Sequence, residues 1–400
     1  MPIDDAKEYS QRREIIAGTG DVIKLQREEF RAVAAACCVP AIVIVLVCGL
    51  VVGQPFAALV ATAGAFSVGF GLFQRLSSFT VAPMLLALVG MTISATIGTL
   101  ASASPFSEGI AAAIWAFGVA AAAGLGTAVW WIVLQWSIAL VIAAAFPADP
   151  VFALLRGVLV ALGGTLQLVI ASSLWALVCW QCDVPAPRNG NDRPLSLASM
   201  RLALCETLQT GTARFRYAVA LAVTVGLAAA AYRVVDFSNG YWIAMTILIV
   251  LRSELRDTVR ITMTRVIGTM AGAGVATIIV SLVRPSQTIL VALIAVMAWG
   301  CYASLRVNYA LFSMLITGYI ALLFAFGGLP EPAVALHRVI ATAIAAVSRL
   351  PHIFFTSPVL RAVAPPSAHR HLALEPVLLG AHRPAPEEVF ERLRRNKAVP

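Results

Sequence analysis

Four arginines crowd one short stretch of the chain. Arg252, Arg256 and Arg260 recur at every fourth residue, so they share one face of any helix they occupy, and Arg265 follows where an apolar run begins. Arg306 and Asn308 form a second cluster at the start of a later apolar run. Guanidinium groups suit the recognition of carboxylates and phosphates, because their planar forks donate several hydrogen bonds while carrying a fixed charge. Two readings fit this spacing. In one, the arginines snorkel from a solvated loop helix, with Glu254 and Asp257 partly neutralising them. In the other, they line a vestibule that attracts anions. Tyr241, Trp242 and Thr246 precede the cluster, and Tyr241 and Trp242 are expected at a membrane interface, where amphipathic aromatics settle. Gly268, Gly272 and Gly274 give the following run a flat face for close helix packing.

Other chemistry is sparse. All 20 Asp and Glu lie outside the apolar runs, nearest to them Glu108, Asp149, Asp236, Glu254 and Glu331. A proton-driven carrier with a carboxylate inside a span is therefore not expected, which slightly favours a passive path. His337 is the sole histidine before the tail and reads as an interfacial residue with no special role. Cys37, Cys38, Cys48 and Cys301 sit in apolar runs as small hydrophobes, and Cys179 and Cys182 lack the further ligands that a metal site needs. No paired carboxylates, nucleophile–base set or phosphate loop is evident, so neither an enzyme, a metal nor a cofactor is expected. Gln135, Gln167, Ser172, Ser173 and Thr317 are polar groups in apolar surroundings that fit either interhelical hydrogen bonds or a pore lining.

The elements that must position these groups are membrane spans. Of 400 residues, 60% are hydrophobic and only 12% charged, against about 25% charged in a soluble chain. The net charge of +9 comes from residues between apolar spans, which argues against nucleic-acid binding and for the lipid bilayer as the surrounding solvent. A span needs about 20 apolar residues. Six candidates precede a polar linker: Ala32–Val52, Phe56–Phe73, Val81–Ala101, Ile110–Gly126, Ala128–Phe146 and Gly157–Trp180. Six follow it: Tyr217–Tyr232, Tyr241–Leu251, Val266–Val283, Ser286–Leu305, Val307–Phe326 and Leu336–Val347. Gly124 to Gly126 marks a turn between two of them. Tyr241–Leu251 is short and is expected to continue as a helix below the membrane.

With the N-terminus in the cytoplasm, 17 basic residues fall inside before the tail and 4 outside, the latter being Arg156, Arg233, Arg284 and Arg338. That asymmetry fits the positive-inside rule. The expected fold class is all-α, polytopic, with about twelve helices as two six-helix parallel repeats. Its parts are a cytoplasmic segment 1–31, a first half 32–180, a cytoplasmic linker 181–216 ending in an amphipathic helix, a second half 217–347 and a basic, Pro-rich tail 348–400. The acid-Pro pair Asp149-Pro150 with Arg156 six residues beyond Pro150 resembles Glu331-Pro332 with Arg338, each preceding the last span of its half.

Tyr241-Trp242-x3-Thr246, Arg252, Thr258, Arg265-x2-Gly268-Thr269-x2-Gly272, then Arg306-x-Asn308-Tyr309-Ala310 and Ile316-Thr317 resemble the fusaric acid resistance and aromatic acid exporter family, over about 100 residues. The plant aluminium-activated malate channels are distant relatives with inner-side arginines facing permeating anions. The resemblance implies a bacterial inner-membrane protein exporting aromatic or other organic carboxylates, a homodimer by analogy, and a periplasmic adaptor as partner. A passive organic-anion channel and a non-transporting envelope protein are the alternatives. The chain departs from the family in having no large cytoplasmic domain. It also lacks the Asp of the last span's Arg-x-x-Asp-Thr, reading Arg338-Val339-Ile340-Ala341-Thr342, and the apolar character stops at Val347. The last span is therefore expected to be truncated and the tail to be a frameshift product.

Overall fold

The computed structural model describes residues 30–74, 76, 81–181, 197–251, 255–329 and 340. These residues form twelve α-helices and no strand. In chain order they are α1 (Ala32–Val52), α2 (Pro55–Gly69), α3 (Ala82–Ala101), α4 (Pro105–Ala123), α5 (Thr127–Ala144) and α6 (Pro150–Gln181), then α7 (Leu197–Leu208), α8 (Ala213–Val234), α9 (Tyr241–Val250), α10 (Leu255–Ile278), α11 (Gln287–Ser304) and α12 (Tyr309–Phe326). Among the described residues, ten helices, all but α7 and α9, are long and apolar enough to cross a membrane. A bilayer offers backbone groups no water, so helices that satisfy their own N–H and C=O groups are the natural outcome of such runs. This is a multi-pass, all-helical membrane protein. The expected span Leu336–Val347, apart from Ile340, and the tail lie outside the described residues, as do Arg338, His337 and residues 182–196 of the linker. Of the stretch Leu195 to Arg216, expected to end the linker as one amphipathic helix, α7 covers Leu197–Leu208, because Gly211, at φ 91°, turns the chain and Thr212 caps α8 by accepting from Phe215 N at 3.1 Å.

Two helices begin earlier than hydropathy suggests, and both differences bear on charge. Ser104 and Ser107 cap each other's backbone N–H groups at 3.1 Å, and Pro105 occupies the first turn, so α4 starts five residues before Ile110. Asp149 Oδ1 accepts from Phe152 N at 2.9 Å, and α6 starts at Pro150 rather than Gly157. Glu108 and Arg156 therefore sit within helices, not in flanking loops. Glu108, just outside the apolar run Ile110–Gly126, is 1% exposed and lies inside the spanning helix, which corrects the expectation that no carboxylate sits within a span.

A third correction concerns α9. It does not continue below the membrane: Leu251 is extended, at φ −71° and ψ 117°, so the helix ends at Val250 and α10 is a new helix. No residue of α9 is exposed. Tyr241 and Trp242, expected at an interface, are among the largest fully buried side chains, because an all-apolar helix belongs in an interior.

The packing pairs include α3 with α5 and α6, α10 and α11 with α12, α2 with α6, α4 with α8, and α11 with α1. At the end of the bundle where α1 begins, here the near end, Trp299 Nε1 donates to Ala32 O at 3.2 Å and Arg306 Nη2 to Phe73 O at 2.9 Å. At the far end, where α1 finishes, Arg233 Nη1 meets Glu108 Oε2 at 3.0 Å and Arg156 Nη1 reaches Phe146 O at 2.8 Å.

Candidate functional site

A cavity of about 350 Å³ lies between helices of the first half (α2, α5 and α6) and helices of the second (α9, α10 and α12). Its walls are apolar and rich in rings. At the far end Phe146 packs on Tyr241 (centroids 6.0 Å apart), Tyr241 on Trp242 (4.8 Å), and Trp242 on Phe324 (6.3 Å). Towards the near end Tyr319 stacks on Phe66 (4.0 Å), Phe66 meets Phe70 edge-on (5.0 Å), and Phe312 bridges Phe70 (5.9 Å) and Tyr309 (6.1 Å). Tyr319 and Phe324 share α12, so the rings form a ladder along the cavity.

Each end of the ladder carries a guanidinium. Arg265, on α10, is 3% exposed and donates from Nη1 to the Tyr309 hydroxyl at 3.2 Å. Its Nε is buried with no hydrogen-bond partner, and among the described residues no carboxylate pairs with it. The Tyr319 hydroxyl on the same wall is also buried without a partner. Each buried donor left in that state costs about 1–3 kcal/mol, more for a charged group. Arg156, on α6, is half-buried and donates from Nη1 to Thr99 Oγ1 (2.7 Å), Ala143 O (2.9 Å) and Phe146 O (2.8 Å). Its guanidinium carbon lies 6.0 Å from the Phe146 ring centroid, within cation–π range.

The residues singled out from sequence fall into groups. Arg265, Tyr241 and Trp242 line the cavity, as do Gln135 and Tyr309. Thr246 is buried in α9 beside them but is not on the wall. Arg260 is exposed and away from the cavity, because five residues along a helix turn the side chain to another face from Arg265. Arg306 is exposed and tied to Phe73 O. Asn308 caps α12, its Oδ1 accepting from Ala310 N at 2.8 Å and Leu311 N at 3.1 Å. Arg252 and the Arg256 side chain lie outside the described residues. Gly268 and Gly272 press α10 against α12: a Cβ on Gly268 would lie 2.5 Å from Ala310 O, and one on Gly272 would overlap Met314 O. Gly274 does not share this face, for it is exposed and a Cβ there meets nothing within 4 Å. Sequence reasoning missed Arg156 as a wall residue, although the acid-Pro start of its helix was the signal that could have found it.

Residues 227–350 match the model of a family described as fusaric acid resistance protein-like. No curated protein and no solved structure matches the chain. The matched segment contains α9 to α12, hence Tyr241, Trp242, Arg265 and most of one wall of the cavity, while Arg156 lies outside it. Over residues 227–350, within its second half, this multi-pass membrane protein is therefore similar to the fusaric acid resistance protein-like family.

Proposed function

We propose that this protein is a transporter that exports organic carboxylates, aromatic ones foremost, through the ring-lined cavity between its halves. The observation that carries this reading is Arg265: a guanidinium 3% exposed, on an aromatic wall, with a free Nε and no carboxylate paired with it among the described residues. Burying an uncompensated charge is costly, and a carboxylate ligand relieves that cost while the surrounding rings accept its apolar body. An enzyme is not the reading favoured here, since the wall groups bind and orient but include no nucleophile with a base. The N-terminus is assigned to the cytoplasm of the bacterial inner membrane on the basic-residue asymmetry, which makes the near end the inner end. Two six-helix repeats are supported by the packing: α3 on α5 is matched by α10 on α12, and α4 on α8 by α11 on α1, the reciprocal swap expected of a two-fold relation.

The passive-channel alternative drew on the absence of a carboxylate inside a span; Glu108 lies within one but is tied to Tyr232 and Arg233 and is not on the cavity wall, so flux with and without a proton gradient separates the two readings. A sealed envelope protein with arginines turned to lipid is at odds with the burial of Arg265. The test is flux of ring-bearing carboxylates into proteoliposomes at pH 8, where a carboxyl group of pKa about 4 is ionised. The unmodified protein is expected to raise flux well above protein-free vesicles, and Arg265→Gln to lower it by about 30-fold or more. Flux no higher than in empty vesicles across a panel of such acids removes the reading.

A further inference from the structure

We infer that Arg156 forms a second anion-binding station, at the far end of the same cavity, and that a single-ring carboxylate is handed from Arg265 to Arg156 along the aromatic ladder. This rests on the reading of the cavity as an anion path and adds a site from the half of the chain that the family match does not reach. The first ground is separation. Arg265 is bonded to Tyr309 at the start of α12, whereas Arg156 is bonded to Phe146 O, and the Phe146 ring leads through Tyr241 and Trp242 to Phe324, 15 residues further along α12, or about 22 Å of helix. A one-ring acid is much shorter than that, so it cannot touch both cations at once.

The second ground is how Arg156 is held. Its three hydrogen bonds all leave from Nη1 and all go to neutral oxygens: Thr99 Oγ1, Ala143 O and Phe146 O. They fix the group's position without neutralising its charge. The Nη2 and Nε side of the fork is left for a ligand, and two adjacent donors of this kind suit a carboxylate. Among the described residues no carboxylate pairs with Arg156. The third ground is chemistry between the stations. Trp242, Phe324, Tyr319 and Phe66 offer ring faces and edges, so the ligand that fits carries one negative charge on an aromatic body. A bare inorganic anion gains nothing from such walls. A purely structural Arg156, capping the C-terminal carbonyls of α5, would need none of these features.

Trp130, Trp131 and Trp242 line the cavity, so intrinsic fluorescence reports binding there. The purified full chain is titrated with benzoate at pH 8 and, separately, with neutral benzamide. Benzoate is expected to show two saturable phases. Arg156→Gln weakens one phase by about 30-fold or more and spares the other, and Arg265→Gln does the reverse. Arg156→Lys keeps the charge but loses the planar fork, so it weakens the Arg156 phase several-fold and serves if the glutamine variant does not fold. Benzamide binding should ignore all three substitutions. Both benzoate phases unchanged in Arg156→Gln or Arg156→Lys, or a single phase lost only in Arg265→Gln, overturns the second station and leaves the transport reading standing. No charge-dependent benzoate response in the unmodified protein removes both.

Discussion

Glu108 is held in the first turn of α4, where a helix N-terminus favours negative charge. Its Oε1 accepts from the Tyr232 hydroxyl at 2.8 Å and its Oε2 from Arg233 Nη1 at 3.0 Å, while Arg233 Nη2 also reaches Ser102 O at 3.2 Å. The carboxylate is thus a clamp between one half (α4) and the other (α8). Removing its charge strands a guanidinium that is still partly solvated, so the loss is smaller than for a fully buried pair. Glu108→Gln should destabilise the protein by about 2 kcal/mol, and the double variant with Arg233→Gln should lose less than the two single variants summed. Thermal unfolding in detergent checks this, and additive losses would mean that the pair does not interact. Both Glu108 and Arg156 escaped the sequence reading for one reason. A hydropathy window opens a span after the last charge, whereas a capping box or an acid-Pro start opens the helix before it.

At the level of the helix, the same window succeeds well. The runs Ala32–Val52 and Tyr309–Phe326 are legible because twenty or so apolar residues have one stable conformation in lipid. The turn at Gly124 to Gly126 is legible because Gly126 takes φ 112°, which other residues avoid. What hydropathy cannot tell is which face of a helix meets protein and which meets lipid, since both are apolar. Gly274, expected on one packing face with Gly268 and Gly272, shows the difference, for it does not share that face. The distinction is testable two residues apart on α10. Gly272→Ala, whose Cβ would overlap Met314 O, should cost about 1–3 kcal/mol. Gly274→Ala, with open space around it, should gain about 0.5–1 kcal/mol from the helix backbone alone. Melting temperatures moving in the same direction for both would contradict the packing described.

For the molecule as a whole, the halves are interleaved rather than set side by side. α1 of the first half packs on α11 of the second, and α8 of the second on α4 of the first, where Gly109 and Gly226 let the two backbones approach so closely that a Cβ on Gly226 would lie 2.8 Å from Gly109 O. Cutting the chain between Gly190 and Asn191 should therefore leave two fragments that, when co-expressed, purify together through a tag on either one. Fragments that separate in mild detergent would show that the covalent linker, not the interleaving, holds the halves. The shared acid-Pro and arginine spacing is what proposes a repeat, whereas the exchange of packing partners between the halves depends on contacts between residues more than a hundred positions apart, as with Glu108 and Arg233.

An energised membrane imposes a demand that a pocket in a soluble protein never meets: any route for anions is also a route for leak. On the proposed reading of the cavity as such a route, its ring-lined middle answers that demand. If the cavity is the proposed route, chloride or phosphate entering there would shed hydration and receive nothing in return, so it would be repelled and the voltage across the bilayer would not be short-circuited. Only an anion bringing its own apolar surface finds the crossing tolerable, which makes insulation and selectivity two results of the same wall.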